Sequence, residues 1–358
     1  MKCVLLVGGQ GTRLRPLTYS LPKQMLPVVD VPMIERVIGH LAQYGVDEVV
    51  LSLGYKPDAF IEAFPAGMID GVKLEYAIEP EPLDTAGAIK FAATYAEIDS
   101  TFLVVNGDIL TDLKVDELVK FHENAGAMAT ITLVEVQDPS AFGVVVRDEN
   151  GKVGDFIEKP PKESAPANTI NAGTYVVDPD VLSLIDTSRK VSIEREIFPA
   201  LASKESLYSM VSTDYWIDTG TCEKYLAAHW DLLLGTRDEP PNPRADRVAD
   251  NLWCHGECEL DGRVGEISYF GQLSRCLDGS FVSRSVVGPG CVIGRGAKVV
   301  NSVLLGGVTV SDGAVVESSV IGAGATIGDK AQITDFSVVG FHEVISPSCV
   351  IENTRVPL

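Results

Sequence analysis

The sequence predicts an α/β domain with a mainly parallel sheet, followed by a parallel β-helix. Three observations predict it. Short apolar runs alternate with amphipathic stretches through about residue 235. A polar segment broken by prolines comes next, and beyond it a four-residue pattern recurs at nearly constant spacing.

The apolar runs Cys3–Val7, Glu48–Leu53, Phe102–Val105 and Ala129–Val134 read as buried strands. Between them, Met33–Tyr44 and Asp116–Glu123 carry apolar residues at helical spacing. Strands buried on both faces and alternating with helices imply parallel pairing with helices on both sides of the sheet. Ligands in such sheets sit outside the carboxyl ends of strands. From Gly235 to about Asn251 the chain is polar and carries Pro240, Pro241 and Pro243, a linker composition. Then Ser285-Val-Val-Gly, Ser302-Val-Leu-Leu-Gly, Ser319-Val-Ile-Gly and Ser337-Val-Val-Gly follow at 17, 17 and 18 residues. Shorter aliphatic-Gly steps lie within them, such as Ile293-Gly294 and Ile327-Gly328. Three six-residue steps per turn describe a triangular β-helix with the aliphatic residue pointing inward. A phase slip around Val308–Val316 predicts one irregular turn there. The expected organisation is a catalytic domain over 1–235, a linker region over 236–265 and a β-helix over 266–358.

At 358 residues and 46% hydrophobic content, the chain can bury more than one core. No apolar run approaches the ~20 residues of a membrane helix. Met1–Val7 runs straight into Gly8-Gly9 and reads as a first strand, not a signal peptide. Seven cysteines, an odd and scattered set, fit reduced thiols and a cytoplasmic protein. Cys254-His255-x-x-Cys258 lacks evident further ligands nearby, so a zinc site is not expected. The net charge of −21 argues against nucleic-acid or membrane partners. Against that background, residues 1–29 contain no Asp or Glu but carry Lys2, Arg13, Arg15 and Lys23. An anion is expected to approach there.

That segment holds Gly8-Gly9-Gln10-Gly11-Thr12-Arg13-Leu14-Arg15-Pro16-Leu17-Thr18, then Pro22-Lys23. A glycine-rich turn after a strand presents backbone N–H groups to phosphate oxygens. It is not a P-loop, which requires Gly-Lys-Ser/Thr, nor a dinucleotide fingerprint, whose third glycine is replaced by Leu14. The motif closely resembles the signature of nucleoside-diphosphate-sugar pyrophosphorylases, with the nearest likeness to mannose-1-phosphate guanylyltransferases. Further motifs match in order: Leu83–Gly87, Asn106-Gly107-Asp108, Phe142–Val144, Phe156–Pro160, Asn171–Gly173 and Trp216–Gly220.

The resemblance implies a Rossmann-like nucleotidyltransferase domain and a left-handed β-helix. It implies a reaction in which the phosphate of a sugar 1-phosphate attacks the α-phosphorus of a nucleoside triphosphate and releases pyrophosphate. Arg13 and Lys23 would carry the triphosphate and the catalysis, where charge neutralisation dominates. Gly8, Gly9, Gly11, Thr12, Leu83, Thr85, Gly87 and Gly107 would line the nucleotide. Asp108 and Asp218 would bind Mg²⁺. Gly143, Glu158, Lys159, Asn171 and Gly173 would hold the sugar phosphate. No side-chain base is needed, because the attacking phosphate is already ionised. Glu79 would accept from guanine N1–H and N2, which favours GTP. Related guanylyltransferases usually have Gly where this chain has Asp84. Glucose 1-phosphate with another nucleotide is the alternative substrate pair. A hexapeptide acyltransferase using His342, or a non-catalytic regulatory relative, would leave the N-terminal motifs unexplained. The β-helix ends expose strand edges, so a homo-oligomer is expected.

Overall fold

A computed structural model describes residues 1–357. The chain forms two compact units, one of residues 1–9 and 34–216, the other of residues 10–33 and 217–358.

The first unit is built on a ten-stranded sheet. Lys2–Leu6 lies at its centre, parallel to Glu48–Leu53 on one side and to Phe102–Asn106 on the other. Val72–Ile78 continues the parallel run beyond Glu48–Leu53. The other half is mainly antiparallel: Thr169–Val177 pairs with Phe102–Asn106, with Ala129–Glu135 and with Gly143–Arg147, which in turn pairs with Val153–Glu158, and only Leu207–Val211 joins in parallel, on Ala129–Glu135. The sheet is therefore mixed, parallel where the chain reads βαβ and antiparallel where the helical stretches thin out. Cys3, Val4 and Leu5 have no exposed surface, as a strand covered on both faces requires. Helix Asp84–Tyr95 buries Ala86, Ile89, Ala92 and Ala93 in the same core as Val4, Val104 and Tyr175. Helix Val115–Ala125 ends at Gly126, whose φ of 58° supplies the left-handed stop.

In the second unit, three parallel sheets form the β-helix. One runs through Ser268–Phe270, Ser285–Val287, Val303–Leu304, Val320–Ile321, Val338–Val339 and Arg355–Val356. Its interior is the aliphatic column Val287, Leu304, Ile321 and Val339 with Ile293, Val310 and Ile327. The recurring serines are buried and make a ladder: Ser302 N donates to Ser285 Oγ at 3.2 Å, and Ser319 N to Ser302 Oγ at 3.2 Å. The hydroxyls of Ser285, Ser302 and Ser337 each take an orphan corner amide of the next coil, which is why serine recurs at that position; Ser337 N turns instead to Thr334 O.

Two expectations are corrected. The β-helix begins inside the expected linker: Leu252–Cys254, Glu259–Leu260 and Arg263–Val264 already pair in parallel with the coil after them. Its inward positions use Leu252, Cys254 and Leu260, none of them followed by glycine, in place of the aliphatic-Gly steps, so the pattern is hidden there. The irregular turn is not at Val308–Val316, where register holds at 17 residues (Val292↔Thr309↔Thr326). The extra residue lies at Asp335–Phe336, both left-handed, after which spacing becomes 18 residues (Val320↔Val338).

Candidate active site

In the second unit the signature segment folds as a tight turn. Gly11 adopts φ 59°, and a Cβ there would sit 2.9 Å from Thr18 Cγ2 and 3.1 Å from Lys23 Cβ. Only glycine permits both the backbone angle and the approach. Thr18 Oγ1 donates back to the Gly11 carbonyl at 2.9 Å, and Leu14 N does so at 3.0 Å. The turn delivers two cations to one carboxylate: Lys23 Nζ lies 3.4 Å from Asp218 Oδ1, and Arg13 Nη2 lies 3.8 Å from Oδ2. Asp218 Oδ1 also accepts from Gly220 N at 2.8 Å. Arg13 lies so close over Gly220 that a Cβ there would be 2.5 Å from Nη2. Lys23 is buried, whereas Arg13 is largely exposed and free to reach a phosphate.

In the first unit, Gly8, Gly54 and Glu79 come together where three parallel strands end: a Cβ on Gly8 would lie 3.3 Å from Gly54 N and 3.4 Å from Glu79 Oε1. The Glu79 carboxylate accepts from Ser52 Oγ at 3.0 Å and from Leu83 N at 3.1 Å. It thereby holds the 79–83 loop closed, and each oxygen keeps a second lone pair for a ligand. Thr85 Oγ1 donates to Glu194 Oε2 at 2.6 Å and accepts from Ile193 N at 2.9 Å. Its hydroxyl is therefore committed to the loop's own scaffold. Asp84 sits at φ 62°, with Oδ1 accepting from Thr85 N at 2.8 Å.

Gly107 N donates to Leu6 O at 3.0 Å, extending the central pairing by one residue and setting Asp108 in the turn after the Phe102–Asn106 strand. Nearby, the Thr169–Val177 strand bulges between Asn171 and Tyr175, with Gly173 at φ 76°. A Cβ on Gly173 would be 2.6 Å from Asn106 Nδ2. Asn171 Oδ1 accepts from Gly173 N and its Nδ2 donates to Tyr175 Oη, each at 2.9 Å. Burial pushes the Tyr175 phenol well above its ordinary range, so it stays a neutral donor and acceptor. Gly143 lies against Phe156 and Glu158: a Cβ there would be 3.0 Å from Glu158 Oε2. Lys159, at φ 50°, donates its N–H to Phe142 O at 2.9 Å, and its Nζ pairs with Glu158 Oε1 at 3.0 Å. Because Lys159 is mostly exposed, that pair is a weak restraint on it.

Sequence reasoning left Ser192 without a role and passed over Glu194 and Tyr175. Ser192 Oγ donates to Glu194 Oε2 at 2.8 Å and caps the π-helical turn Ile193–Ile197 by accepting from Arg195 N at 3.3 Å. Val191 O accepts from Ala86 N and Gly87 N, so this segment is stitched to the first turn of helix Asp84–Tyr95, where the Leu83–Gly87 motif lies. Ser192 N also donates to Glu196 Oε1 at 3.3 Å, an arrangement outside the three-residue capping-box spacing, since position 195 is Arg.

Among the described residues no group of three or more His, Cys, Asp or Glu forms an all-protein metal cage. Mg²⁺ does not need one, since it takes one or two carboxylates and completes its octahedron with water and substrate phosphate. Asp108 and Asp218 are each a hard oxygen donor of that kind, so the donor chemistry of either suits Mg²⁺.

The chain matches the nucleotidyl transferase family over residues 2–234 and the EIF2B subunit epsilon LbH domain over residues 251–351, the latter a left-handed β-helix. It is 38% identical over 309 residues to a mannose-1-phosphate guanylyltransferase of Mycobacterium tuberculosis, covering 86% of this chain and 80% of that one. An Arabidopsis thaliana protein described as a probable mannose-1-phosphate guanylyltransferase is 37% identical, with coverage of 99% and 90%. Among solved structures, HddC from Yersinia pseudotuberculosis aligns with a TM-score of 0.56 and 31% identity, over 64% of this chain and 97% of HddC. HddC has also been solved in complex with GMP-PN, which aligns at 30% identity and a TM-score of 0.55, over 64% and 97% of the two chains. Nucleotidyltransferases of this kind generally use divalent metal ions.

Proposed function

Since the chain belongs to the nucleotidyl transferase family, we propose that it is a mannose-1-phosphate guanylyltransferase, joining GTP and mannose 1-phosphate into GDP-mannose and pyrophosphate. The observation that carries this reading is the turn that aims buried Lys23 and exposed Arg13 at one point beside Asp218. Two cations around one carboxylate leave a positive excess for a triphosphate in a strongly acidic chain.

In this reading an oxygen of the sugar phosphate attacks the α-phosphorus in line with the departing pyrophosphate. Arg13 and Lys23 draw charge from the triphosphate, Arg13 through its planar fork and Lys23 as a fixed point charge. Gly8, Gly9, Gly11 and Thr12 bring the backbone to the nucleotide, and Leu83, Gly87 and Gly107 line it. Thr85 holds the 83–87 loop against Glu194. Glu79 keeps that loop closed and uses its remaining lone pairs for guanine. Glu158 and Asn171 take sugar hydroxyls, Gly143 and Gly173 leave room for the ring, and Lys159 swings from Glu158 to the attacking phosphate. Asp108 and Asp218 are the carboxylates assigned to Mg²⁺, which when bound supplies neutralisation of the phosphate charge. Proton removal is not required, so the site needs orientation more than a base.

No helix of the described residues is long and apolar enough to cross a membrane; a cytoplasmic homo-oligomer is the setting proposed here. Pyrophosphate release across five nucleoside triphosphates and a panel of sugar 1-phosphates tests the reading. GTP with mannose 1-phosphate is expected to give the highest kcat/KM. A preference for dTTP or UTP with glucose 1-phosphate would replace the substrate pair, and no release with any pair would overturn the reaction itself.

A further inference from the structure

One corner of the β-helix is built from residues 271, 288, 305, 322 and 340, which follow the paired strands ending at Phe270, Val287, Leu304, Ile321 and Val339. All but Leu305 are glycine. At three of these glycines the next coil's backbone occupies the place of a side chain. A Cβ on Gly271 would be 2.5 Å from Pro289 N, on Gly288 2.8 Å from Leu304 O, and on Gly322 2.5 Å from the Gly340 carbonyl carbon. Gly340 differs in having a neighbour from outside the coils. Its Cβ would be 3.2 Å from both Val356 O and Pro357 Cδ, the chain one coil on, and 3.3 Å from Cγ of Pro16. Pro16 is in the signature turn, three residues after Arg13. Gly340 does not have the positive φ that would itself demand glycine; the close approach accounts for it.

The same segment is held at the other end of the coil stack. Asp30, in the hairpin that follows Lys23, accepts from Tyr269 Oη at 3.1 Å, and Asn242 Nδ2 donates to that oxygen at 2.8 Å. Between these points Tyr225 Oη donates to Pro27 O, and Val29 N donates to His229 Nδ1 at 3.0 Å. Residues 10–33 thus lie along the β-helix from its second coil to its last.

We infer that Gly340 and Pro357 are positioning residues for the nucleotide-binding turn: the last coil is the stop against which Pro16 rests, and it fixes the bearing of Arg13 and Lys23. This rests on the turn being the triphosphate site. A side chain at 340 pushes Pro16 outward by a few tenths of an ångström for alanine and by more for valine. A displacement near 1 Å at such a site costs about 10- to 100-fold.

The test compares Gly340→Ala and Gly340→Val with Gly306→Val, a coil position whose nearest neighbour to a new Cβ is Pro289 Cγ at 3.4 Å. Hydrogen exchange of residues 11–21 is followed in all three, and KM is measured separately for GTP and mannose 1-phosphate. Gly340→Val is expected to speed exchange of the turn and raise the nucleotide KM about 10-fold or more, with the sugar-phosphate KM unchanged. Gly340→Ala is expected to do less of both, and Gly306→Val neither. Unchanged exchange of the turn in Gly340→Val, or equal effects in Gly306→Val, would overturn the inference. Absence of turnover in the unmodified protein would instead overturn the functional reading, and the exchange comparison would still decide whether Gly340 fixes the turn.

Discussion

Lys23 and Arg13 face the same carboxylate, yet they should respond differently to loss of charge. Lys23 has 5% side-chain exposure at 3.4 Å from Asp218 Oδ1, and Arg13 has 61% at 3.8 Å from Oδ2. At an effective dielectric of ~20 the Coulomb attraction at the shorter distance is about 5 kcal/mol, partly offset by desolvation of both charges. Solvent screening reduces the Arg13 pair to about 1 kcal/mol or less. Lys23→Met keeps the stem and removes the charge, leaving Asp218 with Gly220 N and a screened partner. A loss of roughly 2–3 kcal/mol is expected, which lowers Tm by about 4–12 °C in a unit of this size. Arg13→Met should shift Tm by about 4 °C or less. Both should lower kcat/KM for the nucleotide by about 10- to 150-fold, the value of a charge-assisted contact. Scanning fluorimetry beside initial rates at saturating sugar phosphate reads both quantities. Equal melting of the two variants would refute the account of burial, and a nucleotide kcat/KM within about twofold of wild type in Lys23→Met would refute the role of the charge.

Asp108→Asn should cut kcat by about 100-fold or more without changing the circular dichroism spectrum, since it removes a formal charge and keeps the shape of the side chain; near-normal turnover at ordinary magnesium would sink the assignment. Lys159→Ala should lower kcat/KM for the sugar phosphate by about 10- to 150-fold and leave nucleotide KM nearly unchanged, so equal losses on both substrates would contradict its role. Glu79→Gln should narrow the preference for GTP over UTP, and it should also loosen the loop, because Gln offers one acceptor where Ser52 and Leu83 now use two; an undiminished preference would show that the base is read elsewhere. Burial holds the Asp30 carboxyl above its ordinary value of 3.8, against the pull of Tyr269, His255 and Arg244. A raised acid stabilises the fold while protonated, fully below the unfolded value, and the contribution is lost as pH rises through the folded one. Asp30→Asn should therefore be as stable as wild type or up to about 1 kcal/mol more stable at pH 7 in urea, and a clear loss there would show that the ionised carboxylate is the stabilising form.

Much of this was legible in the sequence because it was local or periodic. The Ser285, Ser302, Ser319 and Ser337 spacing foretold the coils, since three of the four accept the same orphan amide one coil on. The acid-free first 29 residues foretold a cationic turn. What stayed hidden depended on contacts distant in the chain. Thr85 reads as a loop residue near a nucleotide, but its hydroxyl is taken by Glu194, 109 residues away. The first coil escaped notice because its inward Leu252, Cys254 and Leu260 are not followed by glycine and do not look like hexapeptide steps. The extra residue at Asp335–Phe336 was misplaced because both adopt φ above 50° without being glycine. Tyr175 looked like one more apolar strand residue until the bulge at Gly173 turned its hydroxyl onto Asn171.

The siting of residues 10–33 has a consequence for building chimeras. A graft cut at the obvious proline-rich junction near 235 would carry the signature segment to a new host but leave behind Tyr269, Gly340 and Pro357, which it rests on. Such a recombinant would inherit every residue of the phosphate-binding motif with the wrong scaffold under it. Exchangeable parts in this protein follow its packing: residues 10–33 and 217–358 should be swapped as one discontinuous module.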